Sequence, residues 1–453
     1  MKKYFILFSL LVFFLLWLTS DLTVLESLSV VLFVFAFLEL IYDLGKRVVI
    51  LDFAIQAAIF TCLVMPVIFY HFYSRENHLA RLWVKYMPIS SDEYFTFALP
   101  AVIAMTIGIR IPLKKLRFHE NPGIYIQKVR DYLINKPSLG LYLIAVGLVS
   151  GLLDFLVVDS LKQVFFFMAH LTYVGVFYVI YSPYKHKKLI VTGVFVLMIG
   201  QTIIEGMFGE FIYLLACSLT LMLLGKKITF RIKIGVACLG IFLIILLQSI
   251  KWDYRKRNWI EGEGADPVYF AQLIGSKITD VSSLMDPDNL FFTSVRMNQG
   301  WLVAVTMKKV PERFSFSYGE TIAQSIAATI VPRFLWPDKP DVGGKANLKR
   351  FWGFKLTGYS MNLGPLGEGY ANFDKLGGII YMFFYGLFFN FMMNAIIKFS
   401  ENRPTIILWL PFLFFYSISV ESDLLTTMGA LVKGLIFTWI IYKFFNIAFR
   451  VSL

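Results

Sequence analysis

Charge, cysteine and histidine are all scarce in this 453-residue sequence. Only 16% of its residues are Asp, Glu, Lys or Arg, against about a quarter in soluble domains. Hydrophobic residues make up 58% and aromatics 17%, and mean hydropathy is +0.68. That shortage of charge excludes disorder, a fibrous repeat and an ordinary soluble globule. The three cysteines, Cys62, Cys217 and Cys238, all fall in apolar runs and read as small core residues rather than disulfides or ligands. The five histidines, His71, His78, His119, His170 and His186, join no cluster with metal-ligand spacing. Walker, Rossmann and Gly-x-Ser-x-Gly patterns are missing too, so neither a metal nor a soluble cofactor is expected. Nor does any basic run interleave with surface aromatics, which argues against nucleic acid as the partner of the +13 net charge.

What the chain has in quantity is apolar length. A bilayer core about 30 Å thick needs roughly 20 apolar residues per helix. Twelve runs approach it: 4–20, 22–42, 48–70, 94–109, 138–158, 163–181, 189–204, 208–224, 234–250, 376–397, 404–420 and 426–445. The expected fold is therefore an all-α polytopic membrane protein of about 12 transmembrane helices. The first run carries Lys2 and Lys3 like a signal peptide, but no small-residue cleavage site follows, so a retained anchor is expected.

Basic residues test the span list independently, because Lys and Arg in short loops stay cytoplasmic. With both termini inside, the cytoplasmic segments hold 22 of them and the short outside loops only four: Arg75, Arg81, Lys85 and Lys162. Another 16 lie in residues 251–375, and Lys433 falls inside the last span. The chain thus divides into spans over 1–250, one large extracytoplasmic loop over 251–375, and spans over 376–453. Long external segments cross regardless of charge, so the 16 do not contradict this topology. Short helices are expected in the loop. Ser317 and Glu320 are spaced as a capping box, and Ile322, Ala323, Ile326, Ala327 and Ile330 then share a helical face up to Pro332.

Ionisable groups inside spans are functional candidates by default. Glu39, Asp52, Asp154 and Glu205 lie close to span ends, where reaching the interface suffices to explain them. Lys433 sits deeper, where a cation costs about 2.5 to 3.5 kcal/mol; it is expected to pair with Glu421 or Asp423 or to face an anionic ligand.

The loop carries the chemistry. Arg296 stands in SVRMNQG; Arg333, Lys339 and Lys345 stand in VPRFLWPDKPDVGGK; Lys349 and Arg350 follow; Glu368 lies in SMNLGPLGEGYANFDKLGG. Arginine forks suit phosphate oxygens. A carboxylate in a glycine-dense segment can approach a ligand closely and take a proton from a sugar hydroxyl, while cations stabilise a departing diphosphate. Base plus anion clamp is a layout for glycosyl transfer. Each residue also has a plainer reading as a packing, cap or interfacial group. Asp286-Pro-Asp288 resembles a metal-binding Asp-x-Asp but reads better as a turn.

With PRFLWPDKP and GPLGEGYANFDKLGG ahead of a span, and one large outside loop in the second half of about a dozen spans, the chain resembles the Wzy-type polymerases of O-antigen and related bacterial repeat-unit polysaccharides. The local likeness covers about a hundred residues. Arg333 and Gly344 also fit the Arg-x10-Gly spacing described in some members, a weak pattern in a chain with 31 glycines. The resemblance implies metal-independent, inverting transfer of a growing glycan from one undecaprenyl diphosphate to a repeat unit on another, at the outer face of the bacterial cytoplasmic membrane. It implies Arg296 and Arg333 as diphosphate ligands, with Lys339, Lys345 and Arg350 as further candidates, Glu368 as base, and Tyr370 and Asn372 along the sugar path. Possible partners are a chain-length regulator and a flippase. An O-antigen ligase is the nearest alternative, but the likeness there would place a functional histidine in the large loop, which has none. A flippase or transporter would show two related halves.

Overall fold

The computed structural model describes all residues except 1, 73–86, 114–121, 154–155, 157–158, 207, 281–293, 332, 334, 358–359 and 449–452. Asp154, His78, His119, Arg75, Arg81, Lys85, Asp286-Pro-Asp288 and Pro332 lie outside the described residues. Among those described there is no strand, and nine helices are long and apolar enough to cross a membrane. Three shorter apolar helices, Leu139–Leu153, Phe208–Leu223 and Pro404–Trp409 with its continuation Leu410–Leu413, fall on the other three expected runs. The chain is an all-α, multi-pass membrane protein.

Its surface shows what lipid does for it. The Lys2–Thr19 helix leaves Tyr4, Leu7, Phe8, Leu11, Phe14 and Leu18 exposed, and the Lys187–Glu205 and Phe230–Arg255 helices expose Leu189, Val196 and Leu239 in the same way. Cys238 belongs to this exposed face, so it is not a core residue as its apolar run suggested; Cys62 and Cys217 are buried.

The core is organised by the Ser91–Arg110 helix, which runs parallel to the long Gly364–Phe399 helix. Glycine sets how close they come. A Cβ on Gly108 would lie 2.3 Å from the Phe383 carbonyl oxygen, and one on Gly386 would lie 2.3 Å from that of Met105. The two backbones therefore touch at their crossing, as small residues permit in membrane bundles. Asn390 fastens the end of this pair by donating to the carbonyls of Gly108 and Ile111.

At that end, charges within the apolar runs are paired. Arg47 forks onto Asp52 at 2.7 and 2.8 Å and reaches Asp43 at 3.0 Å; Arg110 bonds Glu39 and Asp52; Lys2 bonds Glu39 at 3.1 Å. Together with Asn390 and Asn394 they line a cavity of about 430 Å³. Glu39 and Asp52 are thus buried and held by ion pairs. Glu205 is exposed and bonded by Gln201.

The opposite end holds the breaks in regular helix. Asp374 takes φ 61° and ψ −169° inside the Gly364–Phe399 segment, a conformation that costs a non-glycine residue about 1–3 kcal/mol. There the chain reverses, so residues 364–373 fold back beside residues 375–382. The close approach needs two glycines: a Cβ on Gly378 would lie 3.1 Å from the Gly369 carbonyl carbon, and one on Gly369 would lie 2.7 Å from the Tyr381 ring. The orphan carbonyls at the end of the first arm are satisfied by neighbours. Ser317 and Tyr318 donate backbone N–H groups to Ala371 and Asn372. Regular helix therefore starts twelve residues ahead of the expected span at 376, and on the other side of the loop the Phe230–Arg255 helix runs five residues past 250.

One local expectation is corrected. The helix Glu320–Ile330 forms, but Ser317 does not cap it; Gly319 at φ +91° is the N-cap, and the Ser317 hydroxyl is buried without a hydrogen bond. Because the Ser317 backbone is committed to Ala371, the capping acceptor comes from elsewhere in the chain: the Asn372 side-chain oxygen accepts from the Gly319 N–H at 3.2 Å and the Thr321 hydroxyl at 3.0 Å. The helix buries its small face, Ser325, Ala328 and Thr329, and leaves Ile326 and Ile330 exposed. That apolar outer face suits a lipid surface.

Candidate active site

The fold-back arm carries Glu368 to a fully buried position. Each carboxylate oxygen is engaged: Asn347 Nδ2 donates to Oε1 at 2.6 Å, and the Leu424 N–H donates to Oε2 at 2.8 Å. Both donors come from the first turn of a helix, Lys345–Trp352 and Leu424–Ala448 respectively. Helix N-termini present unpaired N–H groups and a partial positive charge, so a carboxylate is at home there.

Asp423 stands immediately before the second of these helices and is the charged neighbour whose field acts on Glu368. Its Oδ1 accepts from the Thr426 N–H at 2.9 Å, as an N-cap does, and it also accepts from the Gly344 backbone. Burial pushes the Asp423 carboxyl above the usual carboxylate range, with the Thr426 and Gly344 bonds opposing the rise. Gly344 opens the Lys345–Trp352 helix at φ +76°, and a Cβ there would lie 2.0 Å from the Met361 carbonyl oxygen. Only glycine fits, which gives the Arg333-x10-Gly344 spacing a structural meaning at its glycine end.

Above this carboxyl pair lies a cavity of about 140 Å³ whose walls include Asn347, Arg350, Asp423, Asp341, Thr321 and Glu320. Arg350 is half-buried there and donates to Ser315 at 3.2 Å. Arg333 is exposed and pairs with Asp341, another wall residue, at 2.9 Å. Lys339 is turned away from the cavity; its ammonium caps the Glu320–Ile330 helix by donating to Ala328 and Val331 carbonyls at 3.0 and 2.9 Å. Burial, with Arg333 nearby, holds it below the usual lysine range. Lys345 is exposed at the start of its helix.

Tyr370 and Asn372 do not line the cavity. The Tyr370 hydroxyl donates to the Val310 carbonyl at 3.1 Å and its ring meets Phe97 edge-on at 5.3 Å. Asn372 is fully buried among Gly319, Thr321 and the Glu368 carbonyl. Both residues hold the fold-back arm in place. Lys433 pairs with neither Glu421 nor Asp423 but with Gln163 Oε1 at 3.1 Å, where it shares a positive field with Arg333 and Lys339.

A second cationic group forms on the other side of the 420–424 segment. Exposed Arg296, Arg255 and buried Lys251 lie within electrostatic reach of one another, and Glu421 faces Lys251 and Arg296. Glu421 is exposed, and these two cations favour its charged form. The site that emerges therefore joins Glu368, Arg350 and, through Asp341, Arg333, while Arg296 belongs to this neighbouring group. Asn347 and Asp423 were not legible as members. Asn347 is one amide in a polar stretch, and Asp423 is separated from Glu368 by two apolar runs.

None of the curated proteins and none of the solved structures matches the chain. Residues 122–400 match the model described as "Domain of unknown function (DUF8712)", which spans Glu368, Asn347, Arg350 and Arg296, and the chain belongs to that family.

Proposed function

We propose that the protein is a glycan polymerase that moves a growing chain from one polyprenyl diphosphate to a lipid-linked repeat unit, at the outer face of a bacterial cytoplasmic membrane. The observation that carries this reading is the buried carboxyl pair, Glu368 with Asp423, beneath a small polar cavity that also holds Arg350. A carboxyl group beside an arginine is the minimum for removing a hydroxyl proton while negative charge develops on a leaving diphosphate. The cavity opens where helices are interrupted, and irregular backbone at membrane depth is tolerated where it lines such a site. Cationic groups on both sides of the 420–424 segment, Arg296 with Lys251 and Arg255, and Arg333 with Lys339 and Lys433, would meet diphosphates of lipid carriers. The bulk of the chain then serves as a body of about twelve spans, both termini cytoplasmic, that keeps two lipid-borne substrates in one plane.

The glycan profile of a deletion strain tests the function. Single repeat units attached to the lipid core are expected. Loss of all attached glycan would overturn the polymerase reading in favour of a ligase or flippase, and an unchanged ladder would overturn any role in this glycan. Arg350→Ala is expected to leave the protein in the membrane while long chains disappear.

A further inference from the structure

Glu368 contributes no atom to the cavity. Asp423 is a wall of that cavity. Resting on the polymerase reading above, we propose that Asp423 is the catalytic carboxyl and that Glu368 is a positioning residue.

The geometry divides the work. Glu368 draws together the first turns of two helices, one bearing Asn347 and Arg350 and the other following Asp423, and so sets where Asp423 and Arg350 stand relative to each other. Asp423 accepts from backbone groups of Thr426 and Gly344 and has no ion pair among the described residues, so its charge is not neutralised by a fixed partner. In the step assigned to it, the acceptor sugar O–H bond breaks and its proton goes to the Asp423 carboxylate. The acceptor oxygen forms a bond to the anomeric carbon of the donor. The bond from that carbon to the lipid diphosphate breaks, and its electron pair leaves on the diphosphate, toward Arg350. Atoms and charge balance without any further reactant. The groups facing Asp423 are Glu368, Tyr381 and Tyr385 from the fold-back segment, Arg350 from the Lys345–Trp352 helix, and Asp341 and Glu320 across the cavity.

Asparagine caps helices about as well as aspartate, so Asp423→Asn keeps an acceptor for the Thr426 N–H while its amide gives up the bond from Gly344. The test uses the purified full chain in liposomes, supplied with lipid-linked repeat units extracted from a strain deleted for this gene. Polymer from the wild-type protein is the first expected result, and its absence would overturn the polymerase reading itself. Given that polymer, Asp423→Asn, assayed below its thermal midpoint, should lower kcat by about 100-fold or more with little change in KM, and Asp423→Glu should restore part of kcat. Because burial raises the Asp423 carboxyl, the acid limb of the kcat/KM profile should lie above the ordinary aspartate range. Glu368→Gln should lose activity and thermal stability together yet keep that limb. Wild-type kcat in a folded Asp423→Asn, or loss of the acid limb in Glu368→Gln alone, would return the catalytic role to Glu368 and refute the proposal.

Discussion

Glutamine at position 368 is the most discriminating change, because it preserves the shape of the side chain and alters only its hydrogen-bonding capacity. The native carboxylate accepts at both oxygens, from Asn347 at 2.6 Å and from Leu424 N–H at 2.8 Å. A glutamine offers one acceptor oxygen and one NH2, so it can serve both neighbours only if the Asn347 amide turns its oxygen to that NH2; with Asn347 as it stands, one donor would face another inside 3 Å in a position without solvent. A hydrogen bond contributes about 0.5–1.5 kcal/mol net, and a buried donor left unpaired costs about 1–3 kcal/mol. The two overlap, since relaxation that removes the clash also removes the bond. A net cost of about 1–3 kcal/mol follows, roughly 5- to 150-fold in the equilibrium that holds the two helix starts against the fold-back arm. The assay is a thermal denaturation series in detergent on wild type, Glu368→Gln, Asn347→Ala and the double variant. Glu368→Gln should melt clearly below wild type. The double variant should fall short of the sum of the single losses, because once Asn347 is truncated the glutamine oxygen can turn to Leu424. Unchanged melting of Glu368→Gln, or strict additivity of the two changes, would refute the account of Glu368 as the residue joining these helices.

Further expectations follow from other parts of the fold. Gly386→Val places carbon where the Met105 carbonyl oxygen stands 2.3 Å from an ideal Cβ; the helices would have to separate by about 1 Å, at a cost of roughly 1–3 kcal/mol, read as a lower melting midpoint and a reduced membrane level. Asp52→Asn leaves Arg47 and Arg110 without their shared carboxylate. Breaking a fully buried pair costs about 3–5 kcal/mol, and because Arg47 is 38% exposed and Arg110 28% a smaller loss is expected, which Asp52→Glu should partly recover in the same melting assay. Cysteines placed at exposed Glu263 and Lys227 should label with a membrane-impermeant maleimide from outside only at 263; labelling of 227 in intact spheroplasts would invert the topology. Stability should also depend on pH in a defined sense. Asp423 is raised by burial, so the folded chain holds its proton to higher pH than the unfolded chain does. Its contribution to stability is greatest below the ordinary carboxylate range and is lost as pH rises through the folded value. Asp423→Asn should flatten that slope in melting midpoints taken across pH.

Apolar run length, and the sorting of basic residues between short loops, pointed to a multi-pass helical protein before any coordinate was known. That follows because hydrocarbon leaves helix as the only single-segment way to satisfy a backbone. Glu368 and Arg350 were legible as candidates because a carboxylate and an arginine in a loop rich in glycine and proline are costly to keep without a use. The glycine-dense segment around Glu368 was expected to let a ligand approach; within it, Gly369 and Gly378 let one arm of the chain lie against the other. Asn372 was placed on the sugar path and instead caps a helix that Ser317 was expected to cap. What the sequence by itself determined here is the material: which stretches lipid can solvate, and which polar groups need a partner or a purpose. Only the tertiary structure decided which partners they have. The reversal at Asp374 brings residue 368 against residues 347 and 424, contacts that no periodicity encodes because they arise from packing of helix ends far apart in the chain.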